Sequence, residues 1–457
     1  MKDLLRFLVT SKPADYLEIR VEESETAGLR FQGPVLENVN ANIHAGGAVR
    51  ALVDGGWGFV TFNDLKDLET KVDMAIRQAR LVGAAGSEVK LAPVPVVEDV
   101  VEMPLKEDPR TVSMAEKVEL FRGYNEIILG YGKPIISSNI RYFDKISKIH
   151  FANSEGTYIL QHKLDLGGGV TALASDGSIT AVNQIGFGSS TDFGVARNKE
   201  DNVRKACEKA ALLLKAPPVK GGEYTVIVDP KLAGIFAHEA FGHLSESDHI
   251  YENPSLQKIM KPGTRFGEKF LNIYDTGLDV GARGYLKYDD EGVATRRTDL
   301  IKEGVLVGRL HTRETAAKMG EEATGNARAL NFTFPPICRM RNTCIEPGDA
   351  TFADMLKGVK RGIYALNSFG GQTNGEMFTF SAGEAYMIRD GKLAELVRDV
   401  NLTGNVFATL ANIDMVGNDF TQFETPGGCG KGEQYPLPTS EWAPHIRIQN
   451  VVIGGKK

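Results

Sequence analysis

Two histidines five residues apart set the tightest local constraint in this 457-residue chain. They bracket Glu239 in the stretch His238-Glu239-Ala240-Phe241-Gly242-His243. Asp229 and Pro230 precede them as an N-cap and a preorganised first helical residue, so Lys231–His243 reads as a helix. On a regular α-helix five residues rotate by roughly 140°, which turns the two imidazoles apart. Two backbones let both serve one centre. A π-turn stacks residue i nearly over i+5; alternatively the helix ends near Gly242 and His243 bends back.

The chemistry offered by these side chains is that of a metal hydrolase. Neutral imidazole is a good donor to zinc. A glutamate beside the first histidine can take a proton from a metal-activated water and deliver it to a leaving amine. The pattern is the H-E-x-x-H zinc-peptidase helix with one residue added. A catalytic zinc needs a third protein ligand. Glu246, Asp248 and His249 are near in sequence. Cys429 is distant, within Pro426-Gly-Gly-Cys-Gly-Lys-Gly432, where flanking glycines would let a thiolate approach a metal unobstructed. The plainer alternatives are histidines buried on hydrogen bonds, a solvated Glu239 and a small core cysteine. Cys207 falls in an amphipathic helix and reads as core. Cys338 and Cys344 sit in a strand-like run at no metal spacing. His44, His150, His162, His311 and His445 are scattered and are assigned no chemistry.

Net charge is -6, and no basic stripe appears, so neither nucleic acid nor an anionic membrane is expected as partner. Charges interrupt the apolar residues of Met1–Thr10, which argues against a signal peptide. No apolar run approaches the roughly 20 residues of a bilayer span. Four cysteines without framework spacing suit a reducing cytoplasm.

The length suffices for two or three domains. Helical and extended signals alternate through the first half. A helix is expected near Asp3–Val9 and strands at Tyr16–Glu22, Gly47–Val53 and Trp57–Phe62, the last two joined at Asp54-Gly55-Gly56. Asn63 reads as the cap of a helix with Leu65, Leu68, Val72, Ile76 and Ala79 on one face. Prolines 93, 95, 104 and 109 mark an extended connector. Ser113 and Glu116 form a capping box for a helix through Ile128. Strands follow from Ile135 to Gly194, turning at Asn153–Gly156 and Ser175–Gly177, and a helix near Glu200–Lys215 closes the half. Ala216-Pro217-Pro218 is the expected boundary, giving domains 1–218 and 219–457. The second half opens with a strand at Tyr224–Val228 and the motif helix. Beyond about Asn272 it becomes short extended runs between glycine turns, with a helix expected at Phe352–Lys360. Gly370-Gly371 and Phe378-Thr-Phe380 read as turn and core, with an exposed strand edge as the functional alternative.

The stretch His238–Asp248 resembles the signature of the TldD/PmbA family of peptidases. Other segments match that family in order: Gly46–Phe59, Asp290-Glu-Gly292, Thr324-Gly-Asn326, Arg339–Thr343, Gly370-Gly-Gln372, Glu384–Gly391, Cys429-Gly-Lys431 with Gln434, and Val452-Ile-Gly-Gly455. The resemblance thus spans nearly the whole chain. It departs from the pattern at Gly432-Glu433, where a shorter link is expected. The PmbA-like (TldE) branch lacks the metal motif, whereas this sequence carries it together with the distal cysteine, as the TldD-like branch does. The resemblance implies zinc on His238, His243 and Cys429 with Glu239 as base. It implies an α+β fold, with an N-terminal α/β domain and a mainly β C-terminal domain carrying the metal-site helix. It also implies hydrolysis of unfolded or flexible peptides by a homodimer or a heterodimer with a PmbA/TldE-like subunit. A different class of reading is a non-catalytic peptide-binding partner subunit with a structural metal. Structural zinc sites usually close with four protein ligands, and three are visible here. Hydrolysis of a non-peptide amide is a third reading.

Overall fold

The alternation read at Tyr16–Glu22 runs on to Gln32, and the strands around it are equally long. The computed structural model describes residues 1–454; Gly455, the last residue of the C-terminal match, lies outside the described residues. A short helix, α1 (Lys2–Thr10), leads into β1 (Tyr16–Gln32), β2 (Val35–Val53) and β3 (Gly56–Phe62). Asp54 and Gly55, both at positive φ (51° and 77°), make the two-residue turn between β2 and β3. Then come α2 (Leu68–Ala84), β4 (Glu98–Val101), α3 (Met114–Gly130), β5 (Ile135–Asn153), β6 (Tyr158–Ser175), β7 (Thr180–Ser189) and α4 (Glu200–Lys215). These strands form one sheet in the order β3-β2-β1-β5-β6-β4, with β7 also against β6. Only the β4–β6 pairing is parallel.

One face of this sheet is apolar and carries the helices. Leu17, Ile19 and Val49 pack on Leu5 and Leu8 of α1 and Val72 and Ile76 of α2. Farther along, Phe31, Tyr142 and Leu166 pack on Phe121 and Tyr124 of α3 and Val203 of α4. The period of two puts the alternate residues on the other face. Those are polar, yet Glu18, Arg20, Glu22 and Arg50 are buried, because the second half of the chain covers them. Arg20 meets Asp290 at 3.1 Å, Arg50 meets Glu291 at 3.0 Å, and Arg283 holds Asp165 at 2.7 and 3.0 Å. Gln161 and the backbone of Tyr288 exchange two hydrogen bonds of 3.1 Å across the same junction.

The second half starts with β8 (Gly222–Val228) and α5 (Pro230–Phe236) and is otherwise mainly β. Strand Arg361–Asn374 pairs with β8, β8 with Ile446–Gly454, that strand with Asn401–Asn405, and that with Met377–Arg389. Met377–Arg389 pairs back with Arg361–Asn374, so five strands close a ring. Phe236 of α5 packs against it, its ring 5.4 Å from Phe378 and 6.1 Å from Phe380. A second sheet joins Ile273–Thr276, Asn342–Ile345 and Ser440–Trp442. The fold is therefore α+β with a mostly β C-terminal region, as the sequence led one to expect. No described helix is long and apolar enough to cross a membrane.

Several local expectations need correction. Asn63 does not cap α2. Asp64 turns the chain by accepting the Lys66 N–H, and the helix begins only after Asp67, whose φ of 54° interrupts helical backbone. Leu65 is consequently exposed, and Ala75 takes its place in the buried stripe. The proline-rich connector contributes a strand, β4. The helix at Phe352 stops at Leu356, before Gly358 at φ 78°.

Arg50 lies between two buried carboxylates, Glu18 at 3.3 Å and Glu291 at 3.0 Å. Arg50→Met should leave both uncompensated and lower stability by about 3–5 kcal/mol, read from urea unfolding. A loss below about 1 kcal/mol would mean that the second half is not anchored through this pair.

Candidate metal centre

Helix α5 is started as the sequence implies: the Asp229 carboxylate accepts the Leu232 N–H at 2.9 Å, with Pro230 in the first turn. From Ala237 to Gly242 the helix widens into a π-helical turn, and His243–Ser245 then tightens into a 3-10 turn. Of the two backbones that reconcile the five-residue spacing, the π-turn is the one adopted. It brings the rings of His238 and His243 to 5.3 Å, nearly perpendicular at 86°. Gly242 is not there for unusual dihedrals, since its φ is -57°. It is there because a Cβ would lie 2.0 Å from Met340 Sδ.

Cys429 reaches the histidines from the far end of the chain. Strands Cys429–Lys431 and Gln434–Leu437 form a hairpin turned by Gly432-Glu433, with Gly432 at φ 56°. The added link is thus simply a hairpin turn. Cys429 Sγ lies 3.2 Å from His243 Nε2, and one donor atom from each of His238, His243 and Cys429 falls within 4.8 Å of the others. Burial alone would raise the Cys429 thiol, but His238 and His243 hold it well below its usual range. Burial would likewise depress His243; Glu246 and Cys429 instead raise it well above the ordinary histidine value. His238 is raised to about 9 against its burial, by Cys429 and then Glu441. Its Nδ1 has no hydrogen-bond partner, with Glu441 Oε1 at 3.5 Å.

The three sequence-local candidates for a third ligand separate into other tasks. Glu246 is fully buried and contacts His243 Nδ1 at 3.1 Å, which aims Nε2 at Cys429. Burial would raise this carboxyl, yet Lys431 and His243 hold it far below the usual carboxylate range. Asp248 binds Lys431 Nζ at 2.5 Å, and His249 is half exposed. Glu246, Asp248 and His249 are close enough to form a group of their own, but the Lys431 ammonium touches both carboxylates, at 3.0 and 2.5 Å. A cation already serves that pair. Cys207, Cys338 and Cys344 are buried and free, and none joins the centre. The roles of Lys431 and Glu441 carried no spacing signal, because tertiary contacts alone bring them here.

Glu239 points toward the open side. Its Oε2 is 3.9 Å from His243 Nε2, and burial pushes its carboxyl above the ordinary value. It lines a cleft of about 1100 Å³ together with both histidines. The walls are the strand segment Phe369–Asn374 with Gly375 of the turn after it, the glycine-rich loop before and after Cys429, and Arg141 and Gln184–Gly186 from the first sheet. Thr373 Oγ1 donates to the Glu239 carbonyl at 2.9 Å and ties that strand to the π-turn. Phe378 and Phe380 are core, as read, whereas Gly370 and Gly371 are exposed on the cleft wall.

Family models of PmbA/TldA metallopeptidases match three stretches: domain 1 at residues 17–81, the central domain at 107–214 and the C-terminal domain at 221–455. A metalloprotease of Synechocystis is 46% identical over 443 residues, 97% of this chain and 95% of the relative. A zinc metalloprotease TldD homolog of Saccharolobus solfataricus is 34% identical over 327 residues, 70% of this chain and 72% of the relative. TldE from Thermococcus kodakarensis has the same fold over the full length of both chains, with a TM-score of 0.77 at 20% identity. A Bacteroides thetaiotaomicron structure matches with a TM-score of 0.78 at 20% identity, over 99% of this chain and 98% of its own.

Gly242→Ala should force Met340 aside and destabilise the protein by about 1–3 kcal/mol in thermal or urea unfolding. Adding Met340→Ala should recover part of that loss. If the double variant is no better than the single one, the close approach is not what requires glycine.

Proposed function

The chain belongs to the PmbA/TldD metallopeptidase family, and from that premise we propose that it hydrolyses peptide bonds in unfolded or flexible peptides, with zinc held by His238, His243 and Cys429 and Glu239 as general base. The observation that carries the reading is the convergence of three donors and one carboxylate in a single open cleft. The donor set fits zinc: two imidazoles and a thiolate are borderline-to-soft ligands of the kind catalytic zinc takes. With Cys429 Sγ 3.2 Å from His243 Nε2 and all three donor atoms within 4.8 Å of one another, His238, His243 and Cys429 would together hold one such ion. When bound, zinc supplies Lewis acidity and lowers the pKa of a coordinated water to about 7.

The chain's own residues supply the rest. Glu246 fixes the His243 ring through Nδ1, and Lys431 keeps Glu246 ionised in a buried place. Glu239, one residue from a proposed ligand and open to the cleft, accepts the proton of the attacking water and returns it to the leaving amine. The substrate is placed along strand Arg361–Asn374. That strand pairs with β8 only over Gly362–Ala365, and among the described residues no strand covers the same edge from Leu366 onward. An extended peptide laid there gains backbone hydrogen bonds with little demand on its sequence, which suits unfolded substrates. A non-catalytic, structural-metal subunit is not favoured, because the relatives are named metalloproteases and the donor group keeps an open side on the cleft.

Assembly with a second copy or a TldE-like subunit, and residence in the reducing cytoplasm, complete the proposal. The four free cysteines support the compartment. The division of the chain after residue 218 is supported by the gap between the family segments that end at 214 and begin at 221.

Purified protein should hold about one zinc per chain by elemental analysis. Cys429→Ser should lower that content, and unchanged zinc would remove Cys429 from the ligand set. Glu239→Gln should retain the metal and lose at least about 100-fold in turnover of an unstructured fluorogenic peptide. Wild-type turnover in that variant would sink the assignment of Glu239.

A further inference from the structure

The polar face of the first sheet encloses, against the second half, a cavity of about 300 Å³ that shares no lining residue with the metal cleft. Lys145, Ser147 and Lys163 enter it from β5 and β6, and Arg328 from the opposite wall. Most of the surrounding charges are matched. Lys145 binds Glu22 at 2.7 Å, Arg283 binds Asp165, and Asp290 binds Arg20 at 3.1 Å while accepting the Ala329 N–H at 2.8 Å. Two cations are left over. Lys163 makes no ion pair within 4.0 Å among the described residues, Asp290 and Glu22 favouring its charge only from farther off while Arg20 and Lys145 oppose it, and Arg328 donates only to the carbonyls of Met340 and Pro438. Burial accordingly drives Lys163 down to about 8 and Arg328 down to about 9. Ser147, 1% exposed, has a hydroxyl with no hydrogen-bond partner.

An apolar or cationic occupant would worsen this balance, and a neutral one would leave the charge uncorrected. An oxyanion corrects both faults, since its oxygens accept from an ammonium and a hydroxyl at once and its charge offsets the surplus. We propose that this cavity binds a small oxyanion, a phosphate or a compact carboxylate, held by Lys163 and Ser147. The opposite wall includes Pro436-Leu437-Pro438, and Leu437 is the cross-strand partner of Cys429 in the hairpin. Gln434 clamps the same hairpin to the cavity wall by accepting the Leu330 N–H at 2.8 Å. Occupancy therefore braces the strand opposite Cys429, and the binding itself stands independently of the metal assignment.

The test is thermal unfolding of the full chain, with inorganic phosphate or succinate titrated at constant ionic strength. A saturable rise in Tm with one of them is expected, and which one responds distinguishes phosphate from carboxylate. Lys163→Met should begin at or above the wild-type Tm, because a half-buried cation without a direct ion pair is removed, and should lose the response. Ser147→Ala should weaken apparent affinity about tenfold. Lys106→Met, at an exposed lysine, should respond as wild type does. The proposal falls if neither anion gives a saturable response, or if Lys163→Met and Ser147→Ala both respond like wild type. Hydrogen exchange over Cys429–Leu437 should slow on binding in wild type alone; unchanged exchange would sever the link to the hairpin.

Discussion

The π-turn at Ala237–Gly242 is the constraint on which the site depends. A regular helix would separate His238 from His243 by roughly 140°, and no movement of Cys429 could then bring all three donors together. A π-turn is intrinsically unfavourable and persists where its surroundings over-determine it. Here Met340 fills the space that a Cβ at Gly242 would need, Glu441 backs Gly234, and Thr373 binds the Glu239 carbonyl. Packing from three separate chain segments thus holds the local irregularity that brings the two imidazoles together.

A second layer of control is electrostatic. The first sheet buries helices on one face and ion pairs on the other, and the ion-pair face fixes the second half of the chain against it. Buried pairs of this kind contribute little net stability compared with apolar contacts, but they strongly disfavour any register that leaves a charge unmatched. That arrangement sets Arg141 and Gln184–Gly186 opposite the π-turn and makes the cleft two-sided. Where matching is incomplete, at Lys163 and Arg328, the same logic points to a ligand.

Much of the fold could be read from the chain because periodicity is local. The capping box at Ser113 and Glu116, the Asp54-Gly55 turn and helix α4 were all legible. The failures were local as well. Asn63 looked like a cap, but Asp64 and Asp67 compete for the same turn, and side chains that bond their own backbone can override an apparent helix start. The strands run longer than their core-facing segments suggest, because β1 carries polar residues on both faces over Glu23–Thr26, and β2, although it alternates over Asn38–Ala45, is exposed there.

At the site, the division is equally physical. The sequence by itself determined the donor types, the glutamate beside the first histidine, and the fact that a five-residue spacing needs a distorted helix. Those follow from side-chain chemistry and helix geometry, which act within a few residues. Only the tertiary structure decided which distortion is used, that Cys429 lies with both imidazoles while Glu246 touches only His243 Nδ1, and that Lys431 sits on the Glu246 and Asp248 carboxylates. Those choices depend on contacts between residues some two hundred positions apart, and neither propensity nor spacing encodes them.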